Sequence, residues 1–220
     1  MKLTVLLGMA AAIASPSAPS SDADPHVLHP QRAEHKESEV TKADPSPTSM
    51  PPDIARYLQG APPESRQFDF LLGQWTVAAT AFNPDGTVLR EYAASWEAKA
   101  LNGGRMVMDD YRARAPNGAD VSSFVTLRTW CPATGRWEIT GLAAHQPAMP
   151  MQWHGRWQDG EMRLEAKGQD PQGREVETRI RFFAIDAASF SWESRASRDG
   201  GKTWTGTAFL RASRVSSDTQ

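Results

Sequence analysis

The chain has 220 residues, 40% of them hydrophobic, which suits one domain with additions or two small ones. With 24 Lys and Arg against 26 Asp and Glu, interleaved rather than blocked, the formal net charge is -2. No basic stripe results, so neither nucleic acid nor an anionic membrane surface is an expected partner.

Residues 1–14 read as a secretory signal. Lys2 supplies the positive start, Leu3 to Ile13 the apolar run, and Ala12-Ile13-Ala14 a small-x-small cleavage site before Ser15. The run is shorter than the roughly 20 residues a membrane-spanning helix needs. No later stretch is apolar and long enough either, so no transmembrane segment is expected and the location is periplasmic or secreted. Residues 15–51 are built from Ser, Pro, Ala, Asp, Glu and Lys without one aromatic residue, and read as a disordered linker. Its histidines, His26, His29 and His35, have no scaffold to fix a metal's geometry. Residues 52–66 predict a short helix and a loop, with Ile54, Tyr57 and Leu58 on one helix face that could dock on the folded region.

All eight tryptophans follow residue 74, which places the core in residues 67–213 and leaves 214–220 as a disordered tail. Turn chemistry cuts that core into short pieces: Asn83-Pro84-Asp85-Gly86, Asn102-Gly103-Gly104, Pro116-Asn117-Gly118, Asp159-Gly160 and Asp199-Gly200-Gly201 are examples. Such turns supply the positive φ that tight hairpins require. Between them the residues alternate with period two. Phe190, Trp192 and Ser194 face one way, for instance, with Ser191, Glu193 and Arg195 opposite. No stretch is long enough for a crossover helix, so the strands pair antiparallel. The fold class is all-β: an antiparallel up-and-down barrel of about ten strands, closed on itself to remove its edges. A two-sheet sandwich is the alternative. The lone cysteine, Cys131, excludes an intrachain disulfide.

Three strings in order carry a family resemblance. Phe68-Asp69-Phe70-Leu71-Leu72-Gly73-Gln74-Trp75 resembles the opening signature of the bacterial DUF1579-like family of unknown function, which is related to the calycins. Leu127 to Trp137 is similar to its central strand–turn–strand segment, and Ser197 to Trp204 to its closing hairpin. The resemblance implies a calycin-like barrel, of the lipocalin and nitrobindin type, with an internal pocket. It implies no activity, since fold alone does not give one. Nitrobindin-like relatives hold haem through a histidine late in the barrel. No histidine follows His154 here, so haem is not carried over and no cofactor is expected.

An aromatic-rich barrel of this strand number can hold one small ligand, and an apolar or aromatic molecule is the expected partner. The candidate ligand-binding residues are Trp96, Asp109, Arg128, Trp153, His154, Trp192 and Glu193. Asp109 and Asp110 are adjacent on one strand, so one of them points inward. Arg128 shares a face with Phe124 and Trp130. If the polar face lines the lumen, His154, Glu193 and Arg128 converge there. No catalytic residue is assigned, because the chain lacks the G-x-S-x-G, H-E-x-x-H, C-x-x-C and G-x-G-x-x-G patterns. His145 and His154 without a third ligand do not make a metal site. Two further functions stay open: a small barrel enzyme using an internal His/carboxylate acid–base pair, and a periplasmic interaction module with an exposed apolar patch.

Overall fold

The computed structural model describes residues 50–144, 146–170 and 172–216. The signal segment, almost all of the linker, His145 and residues 217–220 lie outside the described residues. Among those described, ten strands follow one another: β1 (Gly73–Phe82), β2 (Val88–Leu101), β3 (Met106–Arg114), β4 (Asp120–Cys131), β5 (Arg136–Ala143), β6 (Gln146–Gln158), β7 (Glu161–Gln169), β8 (Glu175–Phe183), β9 (Ser189–Ser197) and β10 (Thr205–Arg214). Each pairs antiparallel with the next, and β10 returns to β1, so the sheet is a closed barrel and not a sandwich. A helix, α1 (Pro52–Leu58), belongs to a unit separate from the barrel, and its Ile54, Tyr57 and Leu58 are exposed.

Alternation decides which side is which. On β1, Trp75, Val77, Ala79 and Ala81 are buried while their neighbours are not, and every strand with described side chains repeats the pattern. The apolar face therefore lines the lumen, because burying it removes the most apolar surface from water. Register then stacks large rings side by side: Trp75 lies opposite Trp96, Trp96 opposite Tyr111, and Tyr111 opposite Phe124.

One end of the barrel is plugged by the segment that precedes β1. Two short 3-10 turns (Pro63–Arg66 and Asp69–Leu71) carry Phe68 and Leu71 into full burial. Phe68 meets the ring of Trp137 edge-on at 4.8 Å, and Phe70 lies 5.7 Å from both Phe182 and Phe190. Two buried indoles tie the plug down: Trp75 donates to the Leu71 carbonyl (2.8 Å) and Trp137 to the Gln67 side chain (2.9 Å). Arg214, at the end of β10, donates to the carbonyls of Leu72 (2.6 Å), Phe70 (3.2 Å) and Ala187 (2.7 Å), and its guanidinium lies 4.0 Å above the Trp75 ring.

Candidate functional site

Asp109 on β3 and Arg128 on β4 both point into the lumen, at 1% and 3% exposure. Asp109 lies directly opposite Thr126, and Arg128 is two residues further along β4. That diagonal is within reach of a long side chain, and Arg128 Nη1 donates to Asp109 Oδ2. The guanidinium also stacks over Phe68 of the plug, at 4.9 Å. A charge taken out of water has to be paired, and here the two cancel each other.

The pairing is incomplete. Asp109 Oδ1, Arg128 Nε and Trp96 Nε1 are buried and close no hydrogen bond. The Trp96 N–H and the Thr126 hydroxyl lie toward the carboxylate and favour its charge without completing the contact. Burial pushes the Asp109 carboxyl above its ordinary range, and Arg128, Thr126 and Trp96 only partly reverse that. Burial likewise raises the Tyr111 hydroxyl, and the Tyr92 hydroxyl that it faces adds to the effect.

These atoms face a cavity of about 50 Å³, room for about one or two water molecules. Trp96, Asp109, Tyr111, Thr126 and Arg128 line its polar side, and Phe124, Ile139, Met151, Trp153, Leu164, Ile180, Phe182 and Trp192 much of the remainder. The lumen is thus largely filled by side chains and keeps a small chamber at its polar centre.

Of the residues expected at the site, Trp96, Asp109, Arg128, Trp153 and Trp192 line this chamber together. His154 and Glu193 do not, which corrects the expected convergence with Arg128. Successive residues of a strand face opposite sides, so with Trp153 and Trp192 inward, His154 and Glu193 stand on the outer surface. There His154 Nδ1 meets Glu138 Oε2 at 2.8 Å, and Glu193 accepts from Arg181 at 2.7 Å. The carboxylate partner of His154 is therefore outside the barrel, and among the described residues no internal His/carboxylate pair is formed. Asp110 also points out and pairs with Arg112 (2.6 Å). Tyr111 and Thr126 are chamber residues absent from the expected set. Folding β3 onto β4 about Asn117-Gly118 would have found them, since it sets Thr126 opposite Asp109 and carries Tyr111 along the same face.

A larger basin of about 660 Å³ lies on the outside, around His154, Arg156, Arg163, Arg181, Glu193 and Arg195. Its charges mostly answer one another: Arg181 bridges Glu193 and Glu161, Arg163 reaches Asp159 and Glu161, and Arg195 reaches Glu193. The chamber is the stronger candidate because its polar atoms are not satisfied. On another part of the outer face, Val121, Val125, Leu127 and Leu142 are exposed by 40–45% each, with Val125 opposite Leu142. Among the described residues, no group of three or more His, Cys, Asp and Glu is placed to hold a metal, and no helix is long and apolar enough to cross a membrane.

Ten antiparallel strands closed around an aromatic core make this a calycin-like barrel. Two solved structures share it. The chain is similar to Rv2717c from M. tuberculosis, with 17% identity and a TM-score of 0.51 over 71% of this chain and 99% of that one. It is also similar to the S-type phycobiliprotein lyase CPES from Guillardia theta, with 12% identity and a TM-score of 0.50 over 73% and 97%. At these identities the likeness extends to the fold alone. No protein-family model matches the chain, and no curated protein matches it.

Proposed function

We propose that this protein is an exported binder of a small molecule, which it holds in the chamber between Asp109, Arg128 and the surrounding rings. The observation that carries the reading is the set of buried polar atoms left without partners around an internal cavity. Such atoms cost stability while unpaired, by about 1–3 kcal/mol each, and a ligand or ordered water recovers that cost. The aromatic walls add apolar contact for the rest of the molecule. The fold shared with a phycobiliprotein lyase is consistent with a lumen that serves a purpose, and the small chamber favours a compact ligand.

Native mass spectrometry of the purified full chain tests this reading. The expected result is a bound mass that disappears on denaturation and is missing from a folded Ile139→Trp variant, whose larger side chain fills the chamber. A chain that carries no such mass, and shows no saturable change in tryptophan fluorescence with any compound of a small-molecule library, overturns it.

The ordered strings at 68–75, 127–137 and 197–204 support placing the chain in the DUF1579-like family as part of the same proposal. Residues 1–14 support export. N-terminal sequencing of the protein recovered outside the cytoplasm is expected to begin at Ser15, and an intact Met1 on that material would refute the cleavage.

A further inference from the structure

We propose that the basin on the outer face of β6–β9 is a second binding site, independent of the chamber, and that it takes a compact molecule carrying two or more phosphate or sulfate groups.

Register assembles the site from outward residues in two rows across the strands. Arg156 lies opposite Arg163, Arg163 opposite Arg181, and Arg181 opposite Glu193. Beside that row, His154 lies opposite Glu165, Glu165 opposite Arg179, and Arg179 opposite Arg195. Six arginines line the basin against three glutamates, in a chain whose net charge is -2. Like charges directly opposite each other on a sheet repel, and the carboxylates present do not cancel the first row. Glu193 is shared between Arg181 and Arg195, and Glu161 between Arg181 and Arg163. Arg156 is exposed and forms no ion pair among the described residues. An anion seated over the first row answers that excess, standing clear of Glu165 in the second.

Spacing selects the kind of anion. Neighbouring strands run about 4.8 Å apart, so guanidinium groups from adjacent strands can close on one tetrahedral oxyanion. A phosphate or sulfate group offers three terminal oxygens to such a pair, a carboxylate only two. Arg156 and Arg181 stand two strand spacings apart, about 10 Å, which leaves room for a second group in the same row. The wall is partly set in advance: Arg181 lies 4.0 Å over the Phe183 ring and Arg179 4.0 Å over the Trp204 ring. Carboxylates bound the field. Glu138 faces His154 on one side, Glu193 ends the first row on the other, and Asp159 pairs with Arg163 at the β6–β7 turn. A long polyanion has to run past them, whereas a molecule within the basin's volume of about 660 Å³ does not.

Calorimetric titration of the full chain with inorganic triphosphate, orthophosphate and long-chain polyphosphate, at one fixed ionic strength, tests the inference. Triphosphate is expected to bind about tenfold or more tighter than orthophosphate, since it can engage more than one pair of guanidinium groups. In the double variant Arg156→Gln with Arg163→Gln its affinity is expected to fall about tenfold or more. The control, Arg66→Gln with Lys99→Gln, removes as much charge outside the basin and is expected to change affinity by no more than about twofold. Arg156→Gln alone, with no ion pair to lose, gives a second readout if the double variant does not fold. No triphosphate binding, unchanged affinity in the double variant, or an equal loss in the control overturns the proposal. Polyphosphate that binds more tightly per phosphate than triphosphate overturns the compact ligand in favour of a polymer. The chamber is decided separately, by the bound mass described above.

Discussion

Asp109 and Arg128 have each exchanged water for the other, and neither has a substitute if its partner is removed. Asp109→Ala is expected to cost about 3–5 kcal/mol in urea denaturation, because it strands a buried guanidinium. The paired change Asp109→Leu with Arg128→Met is expected to recover most of that loss, since no charge remains to be desolvated. Asp199 behaves in the opposite way. Bonds from Thr203, from the Ser197 hydroxyl and from the Lys202 N–H hold its carboxyl far below the ordinary range. A depressed folded-state value means stability that is present above about pH 4 and lost as pH falls from there toward the depressed value. The melting-temperature difference between the protein and Asp199→Asn is expected to be largest at neutral pH and to shrink in acid. A difference that grows in acid would contradict the assignment. Asp109 could be read from the sequence as one of two neighbours, Asp109 and Asp110, on opposite faces of a strand. That its partner is Arg128 could not, because the two lie 19 residues apart and meet only once β3 and β4 are in register.

Strands were legible here because their alternation is regular and their turns are chemically explicit. What the pattern did not specify was the depth of packing, as the glycines inside strands illustrate. Gly141 and Gly155 have ordinary backbone conformations, so neither is needed for a turn. A Cβ on Gly155 would lie 2.6 Å from Leu164 Cδ2 and 3.3 Å from Trp137 Cβ, and one on Gly141 would run into the Phe124 ring. Gly155→Ala is expected to destabilise the barrel by about 1–3 kcal/mol through overpacking, measured by denaturant titration. Gly141→Ala has a different signature. Phe124 and Trp153, which it would displace, both line the chamber. Ligand affinity is expected to fall more than stability does, and unchanged affinity would show that the rings relax away from the cavity.

Closure of the whole barrel depends on β1 and β10, which are joined across almost the full length of the folded region. Arg214 reinforces that seam by binding the plug, the loop before β9 and the ring of Trp75 at once. Arg214→Lys keeps the charge but loses the planar fork. It is expected to lower stability by roughly 1–3 kcal/mol, and an unchanged melting temperature would remove Arg214 from this role. The sequence placed residue 214 at the start of a loose tail, because no local pattern shows that an arginine will reach back to Phe70 and Leu72. Surface charge was obscured in the same way. Register sets Arg156 opposite Arg163, Arg163 opposite Arg181 and Arg179 opposite Arg195, a concentration that a net charge of -2 conceals.

The plug has a kinetic corollary. A vessel corked at its foot by Phe68, Phe70 and Leu71 offers no through-route there, so the guest proposed above is expected to enter and leave by the opposite mouth. Loosening the cork, for example with Phe70→Ala, would open a second door and shorten the stay without touching the contacts that greet the guest inside.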